Sequence, residues 1–424
     1  MTSPDYQSGE DFTTAMDARD PVAHFRSRFL IPKARTGEDC IYLCGHSLGL
    51  QPKKVSSYLE QELADWARLG VEGHFHAQRP WMPYHRLLTE QTATLVGAQP
   101  IEVVVMNSLT VNLHLMMASF YRPTAKRHKV LIERGAFPSD QYAVNSQIRF
   151  HGFDPASSLL QLTPRNGEFC MRDEDVHSLI EREGDAIALI LVGGVNYGTG
   201  QLFDMAEITK AGRKKGCVVG FDLAHAVGNI PLRLHDWGPD FAVWCSYKYL
   251  NGGPGCVGGC FVHERHARVW DLRRFAGWWG HNETSRFRMG PEFDPIVGAE
   301  GWQLSNPPIL ALAALRAAME IFSEAGLECL RAKSVSLTGY MEFLLCQHAS
   351  PKFSIITPRE PGRRGAQLSI RLPSDGRKIC DRLAAAGVIG DWREPDIFRV
   401  AAVPLYNSYR DVYLFSQHLS RVLS

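Results

Sequence analysis

The chain has 424 residues, of which 45% are hydrophobic and 21% are charged, and its formal net charge is +1. This length and hydrophobic content are sufficient for a substantial core and predict two domains. The near-neutral charge does not indicate a nucleic-acid or anionic-membrane partner. No apolar run approaches the roughly 20 residues of a membrane-spanning helix, and the N-terminal residues lack the basic and apolar regions of a signal peptide.

The ten cysteines are scattered along the chain. The closest pairs, Cys40 with Cys44 and Cys256 with Cys260, have no matching His or Cys ligands at metal-binding spacing nearby. This distribution argues against a zinc site and against a disulfide framework. We therefore predict reduced thiols, a cytoplasmic location and no metal.

A short extended piece near residue 40 is followed by a predicted helix that begins at Pro52, with Val55, Leu59, Leu63 and Trp66 on one face. From about residue 100, apolar strands alternate with helical stretches, which is typical of a mostly parallel sheet covered on both faces. The predicted strands of this part are 103–106, 129–132, 186–193, 217–222 and 241–247.

After residue 306 the composition becomes rich in Ala and Leu and helical, and three short strands follow at 353–356, 366–372 and 398–403. The prediction is an α/β fold, with a three-layer large domain around a mostly parallel sheet and a smaller α+β C-terminal domain. The predicted divisions are an N-terminal segment that packs with the small domain (1–55), the large domain (56–320) and the small domain (321–424).

Lys248 and Asp222 each follow an apolar strand, 26 positions apart. In open α/β sheets ligands bind at the carboxyl ends of the strands. A lysine amine there can form a Schiff base, and a buried carboxylate can keep a pyridinium nitrogen protonated, which together serve pyridoxal phosphate. Alone, Asp222 would more often cap the next helix, and a strand-end lysine is usually solvated. Together, and with His225 close by, they predict a pyridoxal phosphate site that acts on an amino acid.

Further residue types fit this prediction. Met106-Asn-Ser-Leu-Thr110 precedes a helix, and backbone amides at a helix start bind phosphate, although an ordinary N-cap has the same pattern. Phe137 follows a strand and can stack on an aromatic ring. Arg399 and Arg371 lie in C-terminal strands and can bind a carboxylate in bidentate fashion. Arg399, with its apolar neighbours, is predicted to be the more buried of the two.

Long motifs occur in the chain from about residue 40 to 410. They include Gly45-His-Ser-Leu-Gly-Leu-Gln-Pro, Asn107-Ser-Leu-Thr-Val-Asn-Leu-His, Phe137-Pro-Ser-Asp, Asp222-Leu-Ala-His-Ala-Val-Gly-Asn, Tyr247-Lys-Tyr-Leu-Asn and Arg399-Val-Ala-Ala-Val-Pro-Leu-Tyr-Asn-Ser. In these motifs and in their order the chain resembles kynureninases, which are class V-like pyridoxal phosphate enzymes of fold type I, the aspartate aminotransferase superfamily.

The resemblance implies roles for individual residues. The catalytic pair would be Lys248 and Tyr247. The implied cofactor-binding residues are Leu109, Thr110, Phe137, Pro138, Ser139, Asp140, Asp222, His225, Tyr247, Lys248, Trp278 and Asn306. The implied substrate-binding residues are Arg399, His74, Ser47 and Asn306. Trp278 and Asn306 would come from the second subunit of a homodimer. One position departs from the family, which often has a hydroxyl residue where this chain has Gly193.

The implied activity is hydrolysis of L-kynurenine to anthranilate and L-alanine in tryptophan degradation, with 3-hydroxy-L-kynurenine as a second candidate substrate. Two alternatives stay open. One is a cysteine desulfurase or another lyase or transaminase of the same fold. A desulfurase needs a reactive cysteine on a mobile loop, and Cys256, in a glycine-rich loop, is the one candidate for it. The other is a binding module without catalysis, which would require a broken set of catalytic residues.

Overall fold

The computed structural model describes residues 5–347, 353–372 and 375–423. The N-terminal part is built from short elements that lie against both later parts of the chain. Its elements are α1 (Glu10–Arg19), β1 (Phe29–Leu30), β2 (Ile41–Tyr42), β3 (Gln51–Pro52), α2 (Val55–Leu69), α3 (Gly73–His76) and α4 (Thr89–Val96), with 3₁₀ helices at Ala23–Arg28, Gly70–Glu72, Tyr84–Leu88 and Pro100–Glu102.

The central part alternates strands with helices. Its elements are β4 (Val103–Val105), α5 (Leu109–Phe120), β5 (Lys129–Glu133), α6 (Pro138–Phe150), α7 (Pro155–Ser158), β6 (Leu159–Leu162), α8 (Asp173–Glu183), β7 (Ile187–Gly193), α9 (Met205–Lys214), β8 (Val218–Asp222), α10 (Leu234–Trp237), β9 (Phe241–Trp244) and β10 (Gly259–Val262). These strands form one seven-stranded sheet in the order β4-β10-β9-β8-β7-β5-β6. Strand β10 runs antiparallel to both neighbours, and the other pairs are parallel. The predicted mostly parallel sheet is confirmed.

The two faces of this sheet carry separate apolar clusters, because successive side chains of a strand point to opposite faces. On β7, Leu189 packs with the apolar side chains of α5 and α6 on one face. Its neighbour Ile190 packs with those of α8 and α9 on the other. Such burial on both faces explains the continuous apolar runs of the strands. The arrangement is the three-layer fold that the alternating pattern predicts.

The chain continues through α11 (Glu283–Arg286) and α12 (Ile309–Ala325) into the C-terminal part. 3₁₀ helices lie at Glu264–His266, Trp278–Gly280, Ala299–Trp302 and Pro361–Arg363, and the remaining elements are α13 (Leu327–Gln347), β11 (Ser354–Ile355), β12 (Gln367–Arg371), α14 (Gly376–Ala385), β13 (Val388–Ile389), β14 (Asp391–Arg393), β15 (Ile397–Ala401) and α15 (Tyr409–Leu423). Strands β11-β12-β15-β14 form an antiparallel sheet, and its apolar face packs with the helices α13 and α15.

N-terminal elements join this C-terminal part. Strand β2 pairs in parallel with β13, with Ile41 opposite Val388. Helix α1 packs on α15, where the Asp17 carboxylate accepts the backbone N–H of Tyr409 at 2.7 Å. Among the described residues, no helix is both long and apolar enough to cross a membrane.

The structure differs from the predictions at two element boundaries and in one additional strand. The helix expected to begin at Pro52 begins at Val55, because Pro52 belongs to a two-residue strand. The strand expected to run to Tyr247 ends at Trp244, so Lys248 stands in a loop and does not end a strand. The sequence pattern does not predict β6, which is short and only partly buried, so that its apolar signal is weak.

Candidate active site

One pocket lies at the carboxyl ends of β5, β7 and β8 and at the start of α5. Nine of the residues predicted for the site line it, together with five others. The nine are Leu109, Thr110, Phe137, Ser139, Asp140, Asp222, His225, Tyr247 and Lys248; the five are Glu133, Gly193, Val195, Tyr197 and Ala224. These fourteen come from distant parts of the chain, and the strand order of the sheet brings them together.

Lys248 reaches the pocket from the loop that follows β9. Its Nζ lies 3.0 Å from Nε2 of His225 and 5.7 Å from the ring centroid of Phe137. The loop is held from the N-terminal part, because Gly49 donates its N–H to the carbonyl of Tyr247 at 2.8 Å. The amine is therefore fixed inside the pocket and is not extended into solvent.

His225 lies beside this amine and is 6% exposed. Burial lowers the pKa of its imidazole well below the usual value, and the charge of Lys248 lowers it further. The ring is therefore neutral at neutral pH. Its Nδ1 is buried without a hydrogen-bond partner within the described residues, which leaves one polar atom available to a bound molecule.

Asp222 ends β8 and forms a side-chain hydrogen bond with Asp140 of α6. Both carboxyls are buried. Burial raises the pKa of Asp222, an effect opposed by hydrogen bonds and by the charge of Lys248. It raises the pKa of Asp140 well above the usual value, and the charge of Asp222 adds to this. Asp222 also accepts the N–H of Ala224 at 2.7 Å. The same carboxyl therefore caps the turn that follows β8 and lines the pocket.

Helix α5 begins at the pocket without a side-chain cap. Ser108 occupies the N-cap position but makes no capping hydrogen bond. Leu109 and Thr110, the first two helical residues, line the pocket. Backbone N–H groups at a helix start have no partner within the helix, and they bind anions. This end of the pocket fits a phosphate group.

Two aromatic side chains complete the walls. Phe137 stands at the N-cap of α6, directly before Pro138, and its ring meets that of Tyr197 edge-on at 5.1 Å. Tyr247 also lines the pocket, and burial raises the pKa of its hydroxyl above the usual value, as does the nearby Cys245. Tyr247 is therefore a neutral phenol at neutral pH and can donate a proton or a hydrogen bond.

Arg399 lies next to the pocket in β15 and is 1% exposed. Its Nη1 donates to the carbonyl of Tyr197, a pocket residue, at 2.8 Å, and its Nη2 pairs with Asp391. Arg371 differs: its side chain is 42% exposed and pairs with Asp396 at 2.6 Å. The greater burial expected for Arg399 is found.

Four more predicted residues do not line this pocket in the single chain. His74 is half-buried in α3 and packs edge-on against Trp81 at 5.5 Å. Trp278 lines a separate depression, and Asn306 is exposed before α12. Ser47 is half-buried in the loop after β2. For Trp278 and Asn306 a contribution to the site of a second subunit stays a prediction.

Four residues of this region are not among the predicted site residues. Glu133 and Tyr197 line the pocket, and Asp391 pairs with Arg399. His46 is fully buried, and both of its ring nitrogens lack hydrogen-bond partners within the described residues. Only Glu133 carried a signal in the sequence, as a charged residue that ends an apolar strand; the others depend on contacts between distant segments.

The set of groups fits pyridoxal phosphate. An amine, a carboxyl pair, an uncapped helix start and an aromatic ring surround one space, and each matches a different part of that molecule. The chemistry open to such a set is covalent capture of an aldehyde, protonation of a ring nitrogen and proton transfer by Lys248.

Comparisons with known proteins agree with this geometry. Residues 330–419 match the family model of the kynureninase C-terminal domain. The chain is 70% identical to a kynureninase of Koribacter versatilis over 417 residues, which cover 98% of each chain. It is 58% identical to a kynureninase of Myxococcus xanthus over 420 residues, which cover 99% of each.

Solved structures show the same fold at low identity. A cysteine desulfurase of Escherichia coli, CsdA, superposes with a TM-score of 0.76 at 18% identity, over 95% of this chain and 98% of that one. A cysteine desulfurase of Thermococcus onnurineus gives a TM-score of 0.75 at 14% identity, over 98% and 99%. The fold is thus shared with desulfurases, whereas high identity over the full length is found with kynureninases. The chain belongs to the kynureninase family.

Proposed function

We propose that this chain hydrolyses L-kynurenine to anthranilate and L-alanine in tryptophan degradation, with pyridoxal phosphate as cofactor. The observation that carries the proposal is the joint presence of Lys248, Asp222 and an uncapped helix start around one pocket in a chain up to 70% identical to kynureninases. The 3-hydroxy form of the substrate is included as a second candidate substrate.

The cofactor would be held at both ends. Lys248 would bind its aldehyde carbon, and Asp222, paired with Asp140, would face its ring nitrogen. The backbone at Leu109 and Thr110 would hold the phosphate. When bound, the cofactor supplies an electron sink for the substrate carbons next to the amino group.

Other side chains would support the cofactor from two subunits. Phe137 would stack on the ring. The remaining contacts would come from Pro138, Ser139, His225 and Tyr247 of the same chain and from Trp278 and Asn306 of the second subunit.

The substrate would be oriented by its two ends. Arg399 would bind the α-carboxylate, since its guanidinium is buried beside the pocket residue Tyr197. His74, Ser47 and Asn306 would lie near the aromatic end. In the net reaction water adds to the γ-carbonyl and the bond between Cβ and Cγ breaks.

The protein moves two protons in this scheme. Lys248 takes the proton from Cα, and its position 3.0 Å from the neutral His225 gives the amine a hydrogen-bond acceptor. Tyr247, a neutral phenol because burial raises its pKa, donates a proton to Cβ after the bond has broken. Positioned acids and bases of this kind contribute roughly 10²- to 10⁴-fold to a rate.

The desulfurase alternative has less support. Cys256 is 4% exposed, and burial raises the pKa of its thiol to about 12. A reactive cysteine requires the thiolate and access to the substrate. Cys329 and Cys346 lie on α13 and Cys380 on α14, where a rigid helix does not provide a mobile nucleophile. The non-catalytic alternative has less support because the acid, base and carboxylate-binding groups are all present.

We further propose that the chain is divided into an N-terminal segment (1–55), a large domain (56–320) and a small domain (321–424). We also propose a cytoplasmic homodimer with active sites at the subunit interface. The dimer is supported by the apolar side chains of α2 and α3 that are exposed in one chain. Leu63 is 47% exposed, Trp66 60% and Phe75 53%. Apolar patches of this kind mark association surfaces.

The test is a spectroscopic and product assay on one sample. Purified protein mixed with pyridoxal phosphate is expected to gain visible absorbance, and addition of L-kynurenine is expected to release fluorescent anthranilate. Lys248→Ala is expected to fold normally, gain no such band and lose at least about 10²-fold in turnover. Lys214→Ala, an exposed change on α9, serves as the control. A Lys248→Ala protein with full turnover would contradict the proposal.

A further inference from the structure

Three buried carboxyls share the cofactor pocket, although the proposed function requires only one ionised group beside the ring nitrogen. Glu133, Asp140 and Asp222 are 4%, 7% and 8% exposed, and all three line the pocket. Among the described lining residues, Lys248 provides the one aliphatic ammonium group. Three ionised carboxylates buried together in one pocket would repel one another strongly, because little solvent screens their charges.

Glu133 has a defined place in this group. Strands β8, β7 and β5 are neighbours in the sheet and end at Asp222, Gly193 and Glu133. The register pairs Gly193 directly with Asp222. Glu133 extends over the end of β7, where its Oε2 accepts the N–H of Gly193 at 3.0 Å.

The absence of a side chain at Gly193 makes this position possible. A Cβ atom at Gly193 would lie 2.9 Å from Oε1 of Glu133, too close for an undisturbed structure. The Glu133 carboxyl therefore occupies the space in which a side chain at position 193 would stand, and this space borders the pocket.

The charged and polar groups around Glu133 come from every neighbouring element. Asp222 faces it from β8 and Asp140 from α6, and the polar side chain of Asn196 lies near it after β7. Lys248 lies beyond Asp222. Burial raises the pKa of Glu133 to about 7, and the charge of Asp222 acts in the same direction.

We propose that Glu133 is a positioning residue for the Asp140–Asp222 pair: it keeps its proton while the cofactor is bound, so that a single negative charge faces the ring nitrogen. This inference rests on the proposed function, since it assumes pyridoxal phosphate in the pocket. Loss of the Glu133 proton would add a second charge beside Asp222 and would favour a proton on Asp222 instead. A protonated Asp222 cannot stabilise a protonated ring nitrogen.

The test measures cofactor binding and not turnover. Dissociation constants of pyridoxal phosphate are measured by absorbance titration for the wild type, Glu133→Gln and Glu102→Gln. The amide introduced by Glu133→Gln would imitate the protonated acid, while Glu102 is a fully buried glutamate outside the pocket and is the matched control. By linkage, the wild-type dissociation constant should rise relative to that of Glu133→Gln by up to about tenfold between about pH 6 and pH 8. Glu102→Gln should follow the wild type.

Gly193→Ser is a second variant that does not remove the carboxyl. Its Cβ would lie 2.9 Å from Oε1 of Glu133 and would displace the carboxyl, which would then lose the N–H of Gly193 that favours its ionised form. The loss of affinity should then begin at a higher pH than in the wild type. This measurement holds even if Glu133→Gln does not fold.

The outcomes separate this inference from the proposed function. A wild type that binds the cofactor with the same pH dependence as Glu133→Gln, or a Gly193→Ser profile that does not move, would overturn the role of Glu133 and leave the proposed function standing. A wild type that binds no cofactor would overturn both. Cofactor binding with the expected pH dependence but no anthranilate would support Glu133 and overturn the proposed reaction.

Discussion

Asp391 and Arg399 are direct cross-strand partners. The antiparallel register of β14 and β15 pairs their backbones, and the carboxylate of Asp391 binds Nη2 of Arg399. The other terminal nitrogen of the guanidinium donates to the carbonyl of Tyr197. Two partners from different segments therefore hold the buried guanidinium in one orientation at the edge of the pocket.

This pairing leads to a prediction for substrate binding. Arg399→Ala should raise the KM for L-kynurenine by about ten- to hundredfold with a smaller change in kcat, because a charge-assisted hydrogen bond contributes about 1.5–3 kcal/mol. Arg371→Ala is the matched control, since its exposed pair with Asp396 is worth under about 1 kcal/mol. Steady-state kinetics of both variants decide the matter; an effect confined to Arg371→Ala would assign the carboxylate to that residue.

A second prediction concerns the support of Lys248 by Gly49. A Cβ at Gly49 would clash with the carbonyl oxygen of Lys248 and would lie 2.8 Å from Cα of Asn251. These are backbone atoms that cannot move aside alone, so Gly49→Ala should cost about 1–3 kcal/mol of stability and weaken cofactor binding. Urea unfolding and absorbance titration measure the two effects. Gly362→Ala, where a Cβ would meet open space, should change neither.

A third prediction tests the homodimer. Leu63→Glu combined with Trp66→Glu places two charges on the exposed apolar face of α2 and should halve the mass in solution, measured by light scattering. Turnover should fall with the dimer, because Trp278 and Asn306 are proposed to complete the site of the other copy. Lys210→Glu, on the exposed surface of α9, is the control. An unchanged mass would exclude this face of α2 from the interface.

A fourth prediction concerns acid stability and His46. Burial lowers the pKa of this fully buried imidazole well below 6.5, and the charge of Arg399 acts in the same direction. Below pH 6.5 the unfolded state binds a proton that the folded state does not, so the free energy of unfolding falls as the pH falls. For one proton the slope is up to about 1.4 kcal/mol per pH unit.

His46→Asn removes this titrating group. The wild type should therefore lose unfolding free energy relative to His46→Asn as the pH is lowered from about 7.5 to 5.5. His76→Asn, at an exposed histidine of α3, should leave the slope unchanged. A constant difference between the wild type and His46→Asn across this range would show that folding does not change the protonation of His46, and it would contradict the prediction.

Much of the fold follows from local patterns. The alternation of apolar runs with helical stretches predicts the parallel sheet, because strands buried on both faces must be apolar throughout. Boundaries follow less closely: the pattern predicts a helix start at Pro52, which lies in a strand. The apolar face predicted for α2 is also not the buried one: Leu63 and Trp66 are exposed. Glu62 of the same helix is buried and accepts hydrogen bonds from Trp81 and Tyr84.

The sequence by itself determined the chemical type of the site. Lys248 and Asp222, each after an apolar strand, indicate the cofactor, and the long matching stretches indicate the family. Only the tertiary structure decided which other groups share the pocket. Glu133 and His46 owe their burial and their shifted pKa values to segments far away in the chain, and Asp391 meets Arg399 only through the register of β14 and β15. Desolvation by such distant contacts leaves no periodic trace in the sequence.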